Sequence, residues 1–197
     1  MTNYRPYQQD LVDGAHHAWL QGARNVLLVS PTGSGKTVIF AGMLHGQREP
    51  SCAVAHRQEL VSPISVALAQ YGVKHRIIAP RNVIRRIITL QVKETGASYY
   101  DPAAPCAVAG IDTLVRRQAE LAPWLQRVKL WVTDEAHHLL RENKWGKGAA
   151  MFPHAFGLGV TATPIRADGK GLGSHADGVF DRMVVGPSQR GMRMSIR

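Results

Sequence analysis

A chain of 197 residues has room for one domain of ~100–200 residues and little more. Its 45% hydrophobic and 19% charged residues describe a globular protein and exclude wholesale disorder, while no apolar stretch reaches the ~18–20 residues that cross a bilayer. Lys+Arg 24 against Asp+Glu 14 leaves a net charge of +10, which favours polyanionic partners, nucleic acid first among them.

The first ten residues lack the apolar run of a secretory signal. Residues 5–22 place Tyr7, Leu11, Ala15, Ala18 and Trp19 at helical spacing, with Pro6 suited to a first turn. Asn25–Ser30 is a short continuous apolar run, the pattern of a strand buried on both faces. Lys36 to about Gln47 reads as a helix, Cys52–Ala55 as a strand and 57–70 as a helix. Arg76–Ala79, Ala107–Ala109, Leu130–Thr133 and Gly157–Val160 are further strands, and 94–105 and 166–178 read as loops. Strands alternating with helices imply parallel βαβ units in an α/β sandwich. Cys52 and Cys106 cannot build a disulfide framework; they read as small buried residues in a reducing, cytoplasmic setting. Six basic residues and no acid lie between Glu59 and Glu94, and the segment after Asp181 carries Arg182, Arg190, Arg193 and Arg197. Such runs suit either a solvated face or a binding face.

Ser30-Pro-Thr-Gly-Ser-Gly-Lys-Thr37 joins an apolar strand to a helix, the setting a phosphate-binding loop requires. Gly33 and Gly35 permit backbone angles that turn successive N–H groups inward, and the helix N-terminus beyond favours anions. Thr32, Gly33, Ser34 and Gly35 therefore form a cradle, Lys36 can reach β- and γ-phosphates, and the Thr37 hydroxyl can ligate Mg²⁺. The generic pattern wants glycine where this chain has Ser30. Leu130-Trp-Val-Thr-Asp-Glu-Ala-His137 is an apolar strand ending in two acids. Ligands bind beyond the carboxyl ends of such strands, so Asp134 is expected to face the loop and hold Mg²⁺, and Glu135 to activate water. His16, His17, His138 and His154 have no metal spacing, and Trp19, Trp124, Trp131 and Trp145 read as core anchors.

The order of these segments resembles the first RecA-like motor domain of a superfamily 2 helicase. Pro31–Thr37 resembles motif I, Ala55-His-Arg-Gln-Glu-Leu60 motif Ia, Gly110-Ile-Asp-Thr-Leu114 motif Ib, Asp134-Glu-Ala-His137 a DEAH box and Thr161-Ala-Thr-Pro164 motif III. Arg5-Pro-Tyr-Gln8 resembles the adenine-reading segment, and Arg166–Gly173 with Ala176–Asp181 is similar to bacterial RadD-type DNA repair helicases and their phage relatives. The resemblance implies a P-loop, RecA-like three-layer sandwich with a mainly parallel sheet over residues 1–181, and a short basic tail over 182–197. It implies ATP and Mg²⁺ as cofactors, with Arg5 and Gln8 at the base and His137 linking the nucleotide to the interdomain cleft. It further implies nucleic-acid or coupling roles for His56, Arg57, Thr113, Arg116, Thr161 and Thr163, DNA rather than RNA as substrate, and no membrane partner. Arg117 is a further basic residue beside motif Ib. Such motors carry a second RecA-like domain, whose arginine finger is worth ~10³–10⁵ in rate; residues 182–197 are too few to supply it, so it is expected from a missing part or another chain. Two rivals stand beside an ATP-driven motor: a nucleotide-gated DNA-binding module with little turnover, and a small-molecule phosphotransferase.

Overall fold

The computed structural model describes residues 4–139, 143–163, 172–173 and 178–186. Its elements run α1 (Pro6–Leu20), β1 (Asn25–Val29), α2 (Lys36–His45), β2 (Ser51–Ala55), α3 (Val61–Gln70), β3 (Arg76–Ile78), α4 (Arg81–Thr95), β4 (Cys106–Gly110), α5 (Ile111–Arg116), α6 (Gln118–Leu125), β5 (Leu130–Thr133), α7 (Lys144–Ala150), β6 (Phe156–Thr161) and β7 (Arg182–Val185). The seven strands form one parallel sheet in the order β3-β4-β2-β5-β6-β1-β7.

A parallel sheet must be covered on both faces, and the strand alternation divides the apolar residues accordingly. Val26, Leu28, Ala53, Ala55, Val108, Val132, Leu158 and Val160 share one cluster with Leu11 of α1, Phe40 of α2, Leu68 of α3 and Ile87 of α4. Leu27, Val29, Cys52, Val54, Ala107, Ala109 and Trp131 share the other with Ile111 and Leu114 of α5 and Leu121 and Leu125 of α6. Trp131 fits because its register partner on β6 is Gly157, where a Cβ would overlap the indole. Both cysteines are buried, and burial pushes the Cys106 thiol up to about 11. Among the described residues no helix is long and apolar enough to cross a membrane.

The expected boundary at Asp181 moves. Arg182–Val185, read from the sequence as the start of a tail, pair with β1 from Val26↔Arg182 to Val29↔Val185. Asp181 fixes this start, its carboxylate accepting hydrogen bonds from the backbone N–H groups of Arg24 at 2.9 Å and Asn25 at 2.8 Å. Val184 packs against Gly14 of α1. The strand gives little periodic signal because Met183 is 55% and Val185 63% exposed. Helix α4 was also unforeseen; only Ile87 and Gln91 of its fifteen residues are fully buried. The segments expected at 166–171, 174–177 and 187–197 lie outside the described residues.

A buried polar cluster binds α4 to α3 and β3. The His75 Nδ1–H donates to the Val73 carbonyl at 2.8 Å, leaving Nε2 to accept from the Ser65 hydroxyl at 2.6 Å. The Gln91 amide donates to Ser65 Oγ at 3.0 Å, and its oxygen accepts from Tyr99 N–H at 2.8 Å. Ser65, His75 and Gln91 are all fully buried, so each depends on the others for satisfaction. Burial holds the His75 pKa below its ordinary 6.5, against the pull of the Val73 carbonyl. The unfolded histidine takes up its proton near pH ~6.5 while the folded one resists. The stability from this group is complete above that pH and is lost on acidification until the folded pKa is passed. In urea unfolding, Gln91→Leu is expected to cost about 1–3 kcal/mol at pH 7.5. The fall in stability between pH 7 and 5 is expected to be shallower in His75→Phe than in the wild type.

Candidate active site

Because every strand runs the same way, the carboxyl ends of β1, β6 and β5 lie side by side at one edge of the sheet. The loop after β1 enters α2 through Gly33 at φ 82° and Gly35 at φ 76°, angles that an L side chain rarely adopts. A Cβ on Gly33 would meet nothing within 4 Å, whereas one on Gly35 would stand 2.6 Å from Gln8 Nε2. Glycine thus leaves an open hollow at position 33 and makes room for a brace at position 35. Thr32 and Gly33 are exposed, while Lys36 and Thr37 are half-buried at the first turn of α2.

The brace comes from α1. The Ser34 carbonyl accepts from the Tyr7 hydroxyl and from the Gln8 amide, both at 2.9 Å. The Gln8 oxygen accepts from Arg5 N–H at 2.9 Å, and Gln8 is 3% exposed. The adenine-reading role expected for Gln8 therefore meets a side chain already engaged behind the loop, with one amide hydrogen and one oxygen lone pair unspent. Arg5 is exposed, its guanidinium 3.4 Å from the Tyr7 hydroxyl. Tyr7 had only its apolar helix position to mark it. Tyr4 adds a hydrogen bond to the Ile39 carbonyl at 3.2 Å, and burial pushes its phenol up to about 12. Ser30, in place of the usual glycine, donates its N–H to the Thr161 carbonyl at 2.9 Å; its buried hydroxyl and that of Ser34 have no hydrogen-bond partner among the described residues.

Asp134 and Glu135 follow β5. Burial raises the Asp134 pKa and the Glu135 charge adds to this; the Glu135 N–H, Lys36 and His137 act the other way. Lys36 and Asp134 thus stand within electrostatic reach across β6. Among the described residues Glu135 is the one non-glycine with positive φ, at 51°, a conformation costing about 1–3 kcal/mol. Its N–H donates to Asp134 Oδ1 at 2.9 Å.

A proton chain leads away from Glu135. The Thr161 hydroxyl lies 3.0 Å from the Thr163 carbonyl, which can only accept, so its single hydrogen is spent there. Thr161 Oγ1 then accepts from Thr163 N–H and from His137 Nδ1, each at 3.2 Å. This fixes the proton of His137 on Nδ1, which also faces Glu135 Oε2 at 3.2 Å.

The expected nucleic-acid residues separate. His56 is 6% exposed and lines a small cavity with Val54, Ile111, Trp131 and Leu139, so the structure buries the residue expected to touch the strand's phosphates. It follows directly on β2, whose five residues are buried on both faces of the sheet, and alternation puts it on the side of Cys52 and Val54. Arg57 is exposed just past β2, Arg116 is exposed on α5, Thr113 is half-buried and Thr163 is exposed. Arg117 is held by Glu120 in a bidentate pair at 2.8 and 2.6 Å. His16, His17 and His154 are exposed, whereas the His138 and Trp145 side chains lie outside the described residues, as does Pro164. Among the described residues no three His, Cys, Asp or Glu side chains form a metal cage. A hard dication held by one carboxylate, a hydroxyl and ligand phosphates needs no such cage, and Thr37 with Asp134 fits that donor set.

The raised Asp134 pKa means that its charge opposes folding of the nucleotide-free chain at neutral pH. Asp134→Asn is expected to raise the thermal midpoint without nucleotide or Mg²⁺. The advantage should shrink as pH falls and the wild-type acid protonates; differential scanning calorimetry across pH 8 to 4 checks this.

Residues 1–166 match the family model described as Type III restriction enzyme, res subunit. The chain is 28% identical over 184 residues to the putative mitochondrial ATP-dependent helicase irc3 of Schizosaccharomyces pombe, covering 88% of this chain and 28% of that protein. It is 29% identical over 140 residues to UvrABC system protein B of Acinetobacter baylyi, covering 68% of this chain and 18% of that protein. The chain therefore spans less than a third of the length of either relative. The fold is similar to the UvsW helicase from bacteriophage T4, with a TM-score of 0.63 at 16% identity over 91% of this chain and 59% of that one. It is also similar to the Pyrococcus furiosus Hef helicase domain, with a TM-score of 0.62 at 18% identity over 92% of this chain and 37% of that one. A wholly parallel sheet, a glycine loop after β1 and paired acids after β5 agree with these likenesses, and the chain belongs to the Type III restriction enzyme res-subunit family as an N-terminal RecA-like motor domain of the superfamily 2 helicases.

Proposed function

We propose that this domain binds ATP with Mg²⁺ at Thr32–Thr37 and Asp134, and hydrolyses it as the first motor domain of a DNA helicase or translocase in repair or recombination. The observation that carries the reading is topological: Lys36, at the start of α2 after β1, and Asp134, just past β5, come to the same end of a parallel sheet with only β6 between their strands, beside a loop that turns through Gly33 and Gly35 at positive φ. Opposed charges at a helix N-terminus and a strand end make a place for a triphosphate and its cation.

In this reading the loop N–H groups and Lys36 hold the β- and γ-phosphates, and Thr37 with Asp134 would hold the metal. Mg²⁺ supplies neutralisation of charge developing on the phosphate oxygens. Glu135 orients water for in-line attack and takes its proton. The Nδ1–H of His137 steadies the Glu135 carboxylate and ties it to Thr161, so a change at the nucleotide reaches Thr163 through hydrogen bonds. Arg57 and Arg116, exposed at the same edge, meet phosphates of the bound strand, a contact that carries little sequence information. The arginines that complete the γ-phosphate pocket come from a second RecA-like domain, so the chain alone turns over slowly and does not separate strands. DNA is favoured over RNA by the resemblance of the sequence to DNA repair helicases. A cytoplasmic setting is the one in which the buried thiols stay reduced.

Lys36→Ala is expected to abolish nucleotide binding in a fluorescent-nucleotide titration; unchanged ATP affinity would remove the loop assignment. Glu135→Gln is expected to bind ATP normally while phosphate release falls roughly 10²–10⁴-fold. Release that does not rise on adding DNA, even at high protein concentration, would instead indicate a nucleotide-gated binding module.

A further inference from the structure

The outward face of α4 is used by neither the fold nor the nucleotide site. At 3.6 residues per turn, Arg81, Asn82, Arg85, Arg86, Thr89, Val92 and Lys93 fall within about 140° of arc opposite the buried Ile87 and Gln91. Arg81, Arg85, Arg86 and Lys93 are all exposed, and among the described residues none of them is in an ion pair.

Local energetics argue against a face shaped by solvation alone. The first turn of α4 has no acid, although the helix dipole favours one there. Arg81 and Arg85 are like charges at i and i+4, an arrangement that destabilises a helix. Local rules broken without internal compensation point to an external partner.

We propose that α4 is a second nucleic-acid contact, holding the phosphate backbone of a duplex that flanks the strand at the motor edge. This rests on the proposed nucleic-acid motor. The start of α4 follows β3, so the strip begins at the edge that carries Arg57 and Arg116 and runs down the flank of the sheet. From Arg81 to Lys93 it extends about 18 Å at ~1.5 Å per residue. Duplex DNA places one charge per ~1.7 Å of axis, so about ten phosphates lie alongside that length. The outward arc carries no aromatic ring. It lacks the stacking platform by which unpaired bases are held, and this favours a duplex over a single strand.

The test uses the 197-residue chain and its Arg85→Gln/Arg86→Gln/Lys93→Gln variant, with glutamine chosen for its comparable helix propensity. Fluorescence anisotropy with a blunt DNA duplex and a single strand of equal length is read across a salt series. The variant is expected to bind the duplex at least tenfold more weakly. Its log K against log salt slope should be shallower by about two to three, at ~0.9 per lost phosphate contact. Single-strand binding, nucleotide binding and thermal midpoint should be unchanged, and Arg85→Lys/Arg86→Lys should keep the duplex affinity. Unchanged duplex affinity and slope overturn the proposal, as does an equal loss for duplex and single strand. Wild-type protein that binds the single strand but not the duplex overturns the strip alone; wild type that binds neither overturns the nucleic-acid reading with it.

Discussion

The meeting of two strand ends at one edge of a parallel sheet, Asp134 after β5 and Lys36 beyond β1 with β6 between them, is the constraint around which this domain is organised. Asp134 is destabilised as an anion by burial and by Glu135, and relieved by Lys36 and His137. A carboxyl whose pKa is shifted by burial beside charged neighbours is a candidate for a functional site. The parallel sheet makes the encounter possible. With order β5-β6-β1, the acid and the lysine come from sequence positions about a hundred residues apart, yet both emerge at the same edge. An antiparallel neighbour would have sent one of them to the opposite side.

The strand between them also carries the route outward. Thr161, at the end of β6, is fully buried and receives His137 while giving its proton to Thr163. His137 Nδ1 stands 3.2 Å from both the Glu135 carboxylate and the Thr161 hydroxyl, so moving that carboxylate makes His137 either follow or lose this contact. The left-handed backbone of Glu135 points to the same conclusion. A strained residue persists where the surroundings over-determine it, and here the Asp134 carboxylate holds the Glu135 N–H while His137 holds its side chain.

Much of this was legible in the sequence because it depends on local order. Apolar runs at Asn25–Val29 and Leu130–Thr133 announce strands buried on both faces, and glycines followed by Lys36-Thr37 announce a turn into a helix. The architecture followed from alternation, and the lysine and the acids could be assigned to one edge by topology alone. What escaped was set by tertiary contact. β7 pairs at the sheet margin with two of its apolar residues exposed, so no period marks it. His56 stands in a motif that suggests a contact with the bound strand, yet it is buried directly after β2, whose residues are covered on both faces. α4 contributes so little to the core that its pattern reads as charge before it reads as helix.

The clearest gap between motif and structure is at α1. Sequence resemblance assigned Gln8 to a base; the geometry makes it, with Tyr7, a support for the Ser34 carbonyl. The two are compatible for a physical reason. A loop with glycines at two of its turning points has more backbone freedom to lose than any other sequence would, and an anion cradle that must be ordered on binding gives up affinity. Two buried hydrogen bonds on the carbonyl between those glycines hold the cradle in shape beforehand, and a side chain at position 35 would displace one of the donors. The N-terminal helix therefore supports the proposed phosphate site although none of its side chains need touch a phosphate. Gln8 keeps one amide hydrogen and one lone pair available beyond its bonds to Ser34 and Arg5, so setting the loop and the base contact expected from the motif do not exclude one another.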